Sequence, residues 1–303
     1  MKIFVLSPNE NWILDRVATE WQQLNPDMTT TNIQEADVIW LLSSWQWRSI
    51  PAELLNKKKT IATVHHVVKE KFTKGTLREF LSRDVYIDAY HVPCQKTKDF
   101  ISKITKKPIY VVGYWYNPDY WYPTDKEQSR AELGIPNDQF VVGSFQRDTE
   151  GGDLKSPKLE KGPDLFIESI KRVKKENLLV LLGGWRRQYV IERLEKEGIE
   201  YKFIEMAPID TLRKMYAACD LYIVSSRCEG GPQALLESST MRVPIISRDV
   251  GMADVVLAKN CVLNDEDEMY YPTDKDVEEN FIKTQEYSIQ NQIKKYEKMF
   301  REL

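Results

Sequence analysis

The chain alternates short apolar runs with amphipathic helical stretches, and it does so in two series separated by a break. In the first series, residues 2–6, 37–42, 60–64, 89–92 and 109–112 read as strands. Ile13, Val17, Trp21 and Leu24 recur at helical spacing, and a basic stretch near residues 76–83 reads as a further helix. Such a strand–helix rhythm predicts a parallel sheet covered on both faces. Residues 113–123, GYWYNPDYWYP, break the pattern with two prolines and dense aromatics, and read as a linker followed by a packed segment. In the second series, strands are predicted at 140–144, 178–182, 201–204, 221–224 and 243–247. Helices are predicted at 163–175, 188–196, 211–219 and 232–241, and the last thirty residues read as polar and helical.

The expectation is an α/β protein of two Rossmann-like domains, with parallel sheets facing across a cleft. Residues 1–115 form the first domain, 116–285 the second, and 286–303 a C-terminal helix. Ligands of such sheets bind beyond the carboxyl ends of the strands. Loops 7–11, 43–47, 65–66, 144–161, 183–187 and 225–231 are therefore expected to converge on one cleft.

Composition narrows the class. The 303 residues are 42% hydrophobic and 29% charged, which fits a folded chain and not a disordered one. No apolar run reaches the ~18 residues of a membrane span. The start, MKIFVLSPNENW, reads as a first strand and not as a leader, and a cytoplasmic protein is expected. Cys94, Cys219, Cys228 and Cys261 lie far apart without a CxxC pair, against a disulfide framework or a zinc site. The net charge of −3 and the scattered lysines argue against nucleic acid. Residues 57–107 nevertheless carry 13 basic and 5 acidic side chains. They read either as a solvated lysine-rich surface or as a face for an anionic acceptor or peripheral contact with an anionic membrane.

One stretch carries chemistry: SSRCEGGPQALLE, residues 225–237, after the strand at 221–224. Gly230 and Gly231 let backbone approach a ligand, and Pro232 suits a first helical position. The helix N-terminus behind them favours phosphate. Glu229 precedes the helix and Glu237 lies five residues beyond Pro232, about 7.5 Å along the axis at 1.5 Å per residue. A carboxylate binds hydroxyls well as a charge-assisted acceptor. A ligand ordered sugar, diphosphate, ribose fits, with Glu229 on the sugar and Glu237 on the ribose. Taken alone, the same two acids also read as a loop and a helix-surface glutamate.

Residues 225–251, SSRCEGGPQALLESSTMRVPIISRDVG, resemble the signature of family 4 glycosyltransferases, which belong with the group 1 glycosyl transferases and have the GT-B fold. The resemblance extends through EKGPDLFIESIKRV, LLVLLGGWRR and FIEMAPIDTLRKMYAACDLYIVSS to YSIQNQIKKYEKMF, the family's C-terminal helix that packs back on the N-terminal domain. It implies a retaining, metal-independent transfer from a nucleotide-diphosphate sugar to a glycan, lipid-linked or small-molecule acceptor on the N-terminal side, with no cofactor. Glu229 matches the residue on the transferred sugar, Glu237 that on the ribose, and Arg147 and Lys161 the basic pair on the diphosphate. Amides near Gly231 and Gln233 match further phosphate contacts, and Met206-Ala207 the segment bordering the base. His65, or His66 one position on, matches a histidine near the reacting sugar. Asp265-Glu266-Asp267 resembles a DxD metal site but lacks a strand–turn setting, and reads as a polar loop. The sequence departs from the family in the glycine-free loop 7–11, in Gly251-Met252-Ala253-Asp254, one residue short of G-G-x-x-E, and in its small N-terminal half. These departures leave a second reading, a nucleotide-sugar-binding or scaffold protein that does not catalyse.

Overall fold

The computed structural model describes residues 1–10, 13–264 and 269–303. Two compact units are present: Met1–Gly113 with Gln290–Leu303, and Tyr114–Ile289. The DxD-like stretch at 265–267 lies outside the described residues.

In the first unit, β1 (Ile3–Leu6), β2 (Val38–Leu41), β3 (Lys59–Thr63), β4 (Ala89–Val92) and β5 (Ile109–Val111) form one sheet in that order, all parallel. Helix α1 (Ile13–Leu24) follows β1, and α2 (Ala52–Lys57), α3 (Lys74–Asp84) and α4 (Gln95–Ile101) connect the later strands. A parallel bridge between Ile3 and Thr29 shows the chain passing outside β1 before returning to β2. The winding direction thus reverses at β1, so α1 and the later helices cover opposite faces, as right-handed crossovers require.

Strand alternation sorts the side chains. Ile39, Leu41, Ala62, Tyr90 and Val92 pack with Leu55, Phe80 and Ile101 of α2, α3 and α4. The other face carries Trp40 and His91, covered by Trp21 of α1 and by Tyr296 and Phe300 of the C-terminal helix, Ile289–Arg301. That helix is not polar throughout, as its sequence suggests. Ile289, Ile293, Tyr296, Met299 and Phe300 recur on one stripe and are buried. Beneath it runs a closed hydrogen-bond chain. Trp40 Nε1 donates to Thr63 Oγ1 at 2.9 Å, Thr63 Oγ1 meets His91 Nδ1 at 3.0 Å, and His91 Nε2 meets the Val112 carbonyl at 2.8 Å. Burial pushes the His91 pKa down to about 4, so the ring is neutral.

In the second unit, α5 (Lys126–Leu133) precedes β6 (Phe140–Phe145). A hairpin of β7 (Thr149–Glu150) and β8 (Ser156–Pro157) follows, then α6 (Pro163–Arg172), β9 (Leu178–Gly184), α7 (Gln188–Glu197) and β10 (Tyr201–Glu205). The chain continues through α8 (Ile209–Ala218), β11 (Leu221–Val224), α9 (Gln233–Thr240), β12 (Ile245–Arg248), α10 (Ala253–Val256), β13 (Val262–Leu263) and α11 (Asp274–Thr284). The main sheet is parallel, in the order β10-β9-β6-β11-β12-β13. The aromatic stretch after Gly113 is packed into this unit: Tyr114, Trp115, Tyr116 and Trp121 are buried. Tyr116 pairs with Ser288, so the chain's outgoing and returning segments lie side by side within the unit.

Among the described residues no helix is long and apolar enough to cross a membrane. Within the basic 57–107 stretch, Lys57 pairs with Glu53, Lys58 Nζ donates to the Gln34 carbonyl at 2.7 Å, and Lys59 lies 3.6 Å from Asp88.

Candidate active site

The second sheet has its topological switch between β6 and β11: the chain winds outward from β6 through β9 to β10, then restarts at β11 and winds the other way. The carboxyl ends of the two strands at such a reversal leave a crevice between their loops. The loop after β6 carries Gln146, Arg147 and Lys161; the loop after β11 carries Ser225, Ser226 and Glu229. These loops are tied together. Lys161 Nζ lies 2.5 Å from Glu229 Oε1, and the Ser226 hydroxyl donates to the same oxygen at 3.0 Å. Gln146 Nε2 donates to the Lys161 carbonyl at 3.0 Å and its Oε1 accepts from Ser226 at 3.3 Å. The Glu229 side chain is 9% exposed and that of Lys161 21%.

Glycines allow the closeness. Gly162 has φ +59°, and a Cβ there would stand 2.0 Å from the Ser225 carbonyl oxygen. Gly251, at φ +56°, abuts the Gly230 carbonyl oxygen, where a Cβ would stand 2.4 Å away. A Cβ on Gly231 would meet Met252 and Tyr114 at 2.8 and 2.9 Å. Arg227 clamps the same loop by donating to both Asp164 oxygens, at 2.7 and 2.6 Å, and this pairing holds the Asp164 carboxyl below its usual range.

The remaining predicted residues fall as follows. Pro232 is the N-cap of α9 and not its first helical residue; its ψ of 124° is extended, and Gln233 starts the helix. Both amide atoms of the Gln233 side chain are buried without a hydrogen-bond partner among the described residues, a cost that calls for an explanation. Glu237 is 5% exposed and accepts from the Tyr216 hydroxyl at 2.9 Å. Burial, reinforced by the Glu237 charge, pushes the Tyr216 pKa well up, so this hydroxyl stays a donor. Arg147 donates from Nε to the Thr149 carbonyl at 3.2 Å and lies over the Trp185 ring at 5.0 Å. Met206, left-handed at φ 47° and 44% exposed, follows β10 beside Ala207, and its N–H donates to the Gly184 carbonyl at 3.1 Å. His65 belongs to the first unit, just after β3; its Nε2 meets the Leu42 carbonyl at 2.9 Å, its ring lies 6.4 Å from that of Trp45, and His66 adjoins it. Among the described residues, no three of His, Cys, Asp and Glu gather as a metal-holding group.

Residues 125–266 match the family model described as "Glycosyl transferases group 1". Over this stretch the chain is similar to the group 1 glycosyl transferases. Among curated relatives, "Glycogen synthase 2" of Geobacter metallireducens is 31% identical over 140 residues, 44% of this chain and 27% of that protein. "Alpha-galactosylglucosyldiacylglycerol synthase" of Streptococcus pneumoniae is 24% identical over 172 residues, 52% of this chain and 42% of that protein. The matches thus span under half the length of these relatives. Among solved structures, Anabaena HepE with UDP and glucose superposes at a TM-score of 0.80, 14% identity and 100% coverage of both chains. WaaG, a glycosyltransferase involved in lipopolysaccharide biosynthesis, superposes at 0.62 with 14% identity, over 96% of this chain and 95% of its own. The fold is GT-B.

Several residues that shape the crevice were not singled out from sequence. Gln146 and Ser226 join the two loops, and Asp148 with Arg187 forms a buried ion pair beneath them, at 2.5 Å and 0% exposure. Burial pushes the Asp148 pKa up, against the opposing pull of the Arg187 guanidinium. Asp148 opens the stretch DTEGGDLKSPKLEKG, residues 148–162, which carries the hairpin of β7 and β8.

Proposed function

We propose that the protein is a retaining family 4 glycosyltransferase, moving a sugar from a nucleotide-diphosphate sugar to a glycan or lipid-linked acceptor. The observation that carries this is the Lys161–Glu229 contact at the switch point, in a glycine-built crevice at the start of α9. In the proposed complex the donor diphosphate takes Lys161 and Arg147 as its cations, together with amides near Gly231 and Gln233. Glu229, released from Lys161, accepts from hydroxyls of the transferred sugar, and Glu237 serves the ribose. The base lies by Met206 and Ala207. His65 serves the reacting sugar. The HepE complexes with UDP and with UDP-glucose support a uridine donor for this chain. The names of the streptococcal relative and of WaaG support a lipid or glycan acceptor, approached at a membrane surface through residues 57–107.

The chemistry needs no protein nucleophile. As the sugar–phosphate bond breaks, a donor phosphate oxygen takes the acceptor's proton, and Lys161, Arg147 and the α9 N-terminus stabilise the leaving diphosphate. Each preorganised contact of this kind is worth ~3 kcal/mol, roughly a hundredfold in rate. No metal is part of the proposal. The test is release of nucleoside diphosphate from UDP-, GDP- and ADP-sugars, with and without glycan or lipid acceptors, in the presence of EDTA. Release that Glu229→Gln abolishes supports the proposal. Release unchanged in Glu229→Gln contradicts it.

A further inference from the structure

The hairpin between β6 and α6 carries a further lysine, Lys158, three residues before Lys161. Asp148 and Lys158 face each other at its neck, where Lys158 N–H donates to the Asp148 carbonyl at 2.8 Å. The neck is fixed from below. Arg187 binds Asp148 Oδ2 through Nε, donates to the Ser144 and Gly183 carbonyls, and reaches Ser144 Oγ at 3.2 Å. Thr149 N–H donates to the Arg186 carbonyl at 3.0 Å, and Tyr189 N–H donates to Thr149 Oγ1 at 2.9 Å. Downstream, Lys161 N–H donates to the Lys158 carbonyl at 2.8 Å. Arg147, Lys158 and Lys161 are thus all held to one braced scaffold.

Lys158 is poorly compensated there. Its side chain is 25% exposed, and Glu160 approaches its ammonium only to 4.0 Å, the outer limit of an ion pair. Burial, then Lys161 and then Arg147 push its pKa down, while Glu160 and Glu229 oppose them. Lys158 and Lys161 are joined through the backbone, Glu160 lies between them in the chain at 4.0 Å from the Lys158 ammonium, and Glu229 is already engaged by Lys161. Crowding like charges in a half-buried place is unfavourable until an anion arrives.

We infer that Lys158 is a third phosphate-binding cation of the donor site, acting with Arg147 and Lys161 on the diphosphate. This rests on the reading of the crevice as a nucleotide-sugar site. It implies that the hairpin contributes to binding through its neck, and that the site takes ligands with at least two phosphate charges in preference to nucleosides.

The test is calorimetric binding of UDP, GDP, ADP, inorganic pyrophosphate and uridine to wild type, Lys158→Gln and Lys158→Arg, with melting temperatures of each unliganded protein. In the variant Lys158→Gln, nucleoside diphosphate and pyrophosphate binding should weaken at least tenfold and uridine binding should not change. Lys158→Arg should retain most of the affinity, and unliganded Lys158→Gln should melt no lower than wild type. Wild-type affinity in Lys158→Gln, or a lowered melting temperature with affinity unchanged, would assign Lys158 to holding the hairpin and overturn the inference. Failure of Lys158→Gln to fold overturns it equally. Failure of the wild type to bind any nucleoside diphosphate removes the donor-site reading itself, and this inference with it.

Discussion

Lys161 Nζ and Glu229 Oε1 stand 2.5 Å apart, so the two residues expected to serve different parts of a donor serve each other in this structure. The pair neutralises a carboxylate that is only 9% exposed. Removing the lysine alone leaves that carboxylate with the Ser226 hydroxyl in place of its ammonium partner, at a cost of about 1–2 kcal/mol. Lys161→Ala should therefore unfold at lower urea than Lys161→Ala combined with Glu229→Gln. Urea denaturation of the two variants measures this, and equal midpoints would contradict the cost assigned to the carboxylate that has lost its ammonium.

Gly162 tests the backbone that brings the loops together. Alanine there meets a left-handed φ and the Ser225 carbonyl at 2.0 Å. Gly162→Ala should destabilise the second unit by about 2–4 kcal/mol, through strain at φ > 0 and displaced backbone. Nucleotide binding should fall as well, because the strained turn holds Lys161. Thermal unfolding with and without UDP reads both effects; an unchanged melting temperature would contradict the close approach.

The buried Asp148–Arg187 pair predicts an asymmetric cost. Asp148→Ala strands a guanidinium that is 0% exposed and should cost about 3–5 kcal/mol, more than the double variant Asp148→Ala, Arg187→Met. Chemical denaturation of both variants checks the order.

His91 predicts acid sensitivity in the first unit. Its pKa falls from 6.5 to about 4 on folding because burial disfavours the charged ring. Between those values the unfolded chain binds more protons than the native one. Stability present above about pH 6.5 is thus lost as pH falls toward 4, by on the order of 3 kcal/mol. Urea unfolding at pH 7 and pH 4.5 should show this slope in wild type and a smaller one in His91→Gln. Equal slopes would contradict it.

Much of the fold was legible because apolar periodicity reports burial directly. Ala89–Val92 and Leu221–Val224 occur with the bounds read from the sequence because polar or turn residues flank them, and Ile13–Leu24 because its apolar residues recur at helical spacing up to Asn25. Short helices such as Gln95–Ile101, and the hairpin at Thr149–Pro157, were not, because their patterns are too brief or too polar to stand out. The apolar stripe of the C-terminal helix was hidden by its lysines, glutamines and glutamates. Within the site, the Glu229 and Lys161 positions were legible from motif spacing, but their mutual contact was not. It depends on the β6–β11 adjacency, which places residues 68 positions apart side by side.

The most direct measurement of the central claim is calorimetric binding of UDP, GDP and ADP to wild type and Glu237→Ala. A ligand at 100 times its dissociation constant should also stabilise the protein by ~2.7 kcal/mol. The account predicts selective binding of one nucleoside diphosphate, weakened in Glu237→Ala. Absence of binding by all three would contradict it and leave a GT-B fold that does not take a nucleotide-sugar donor.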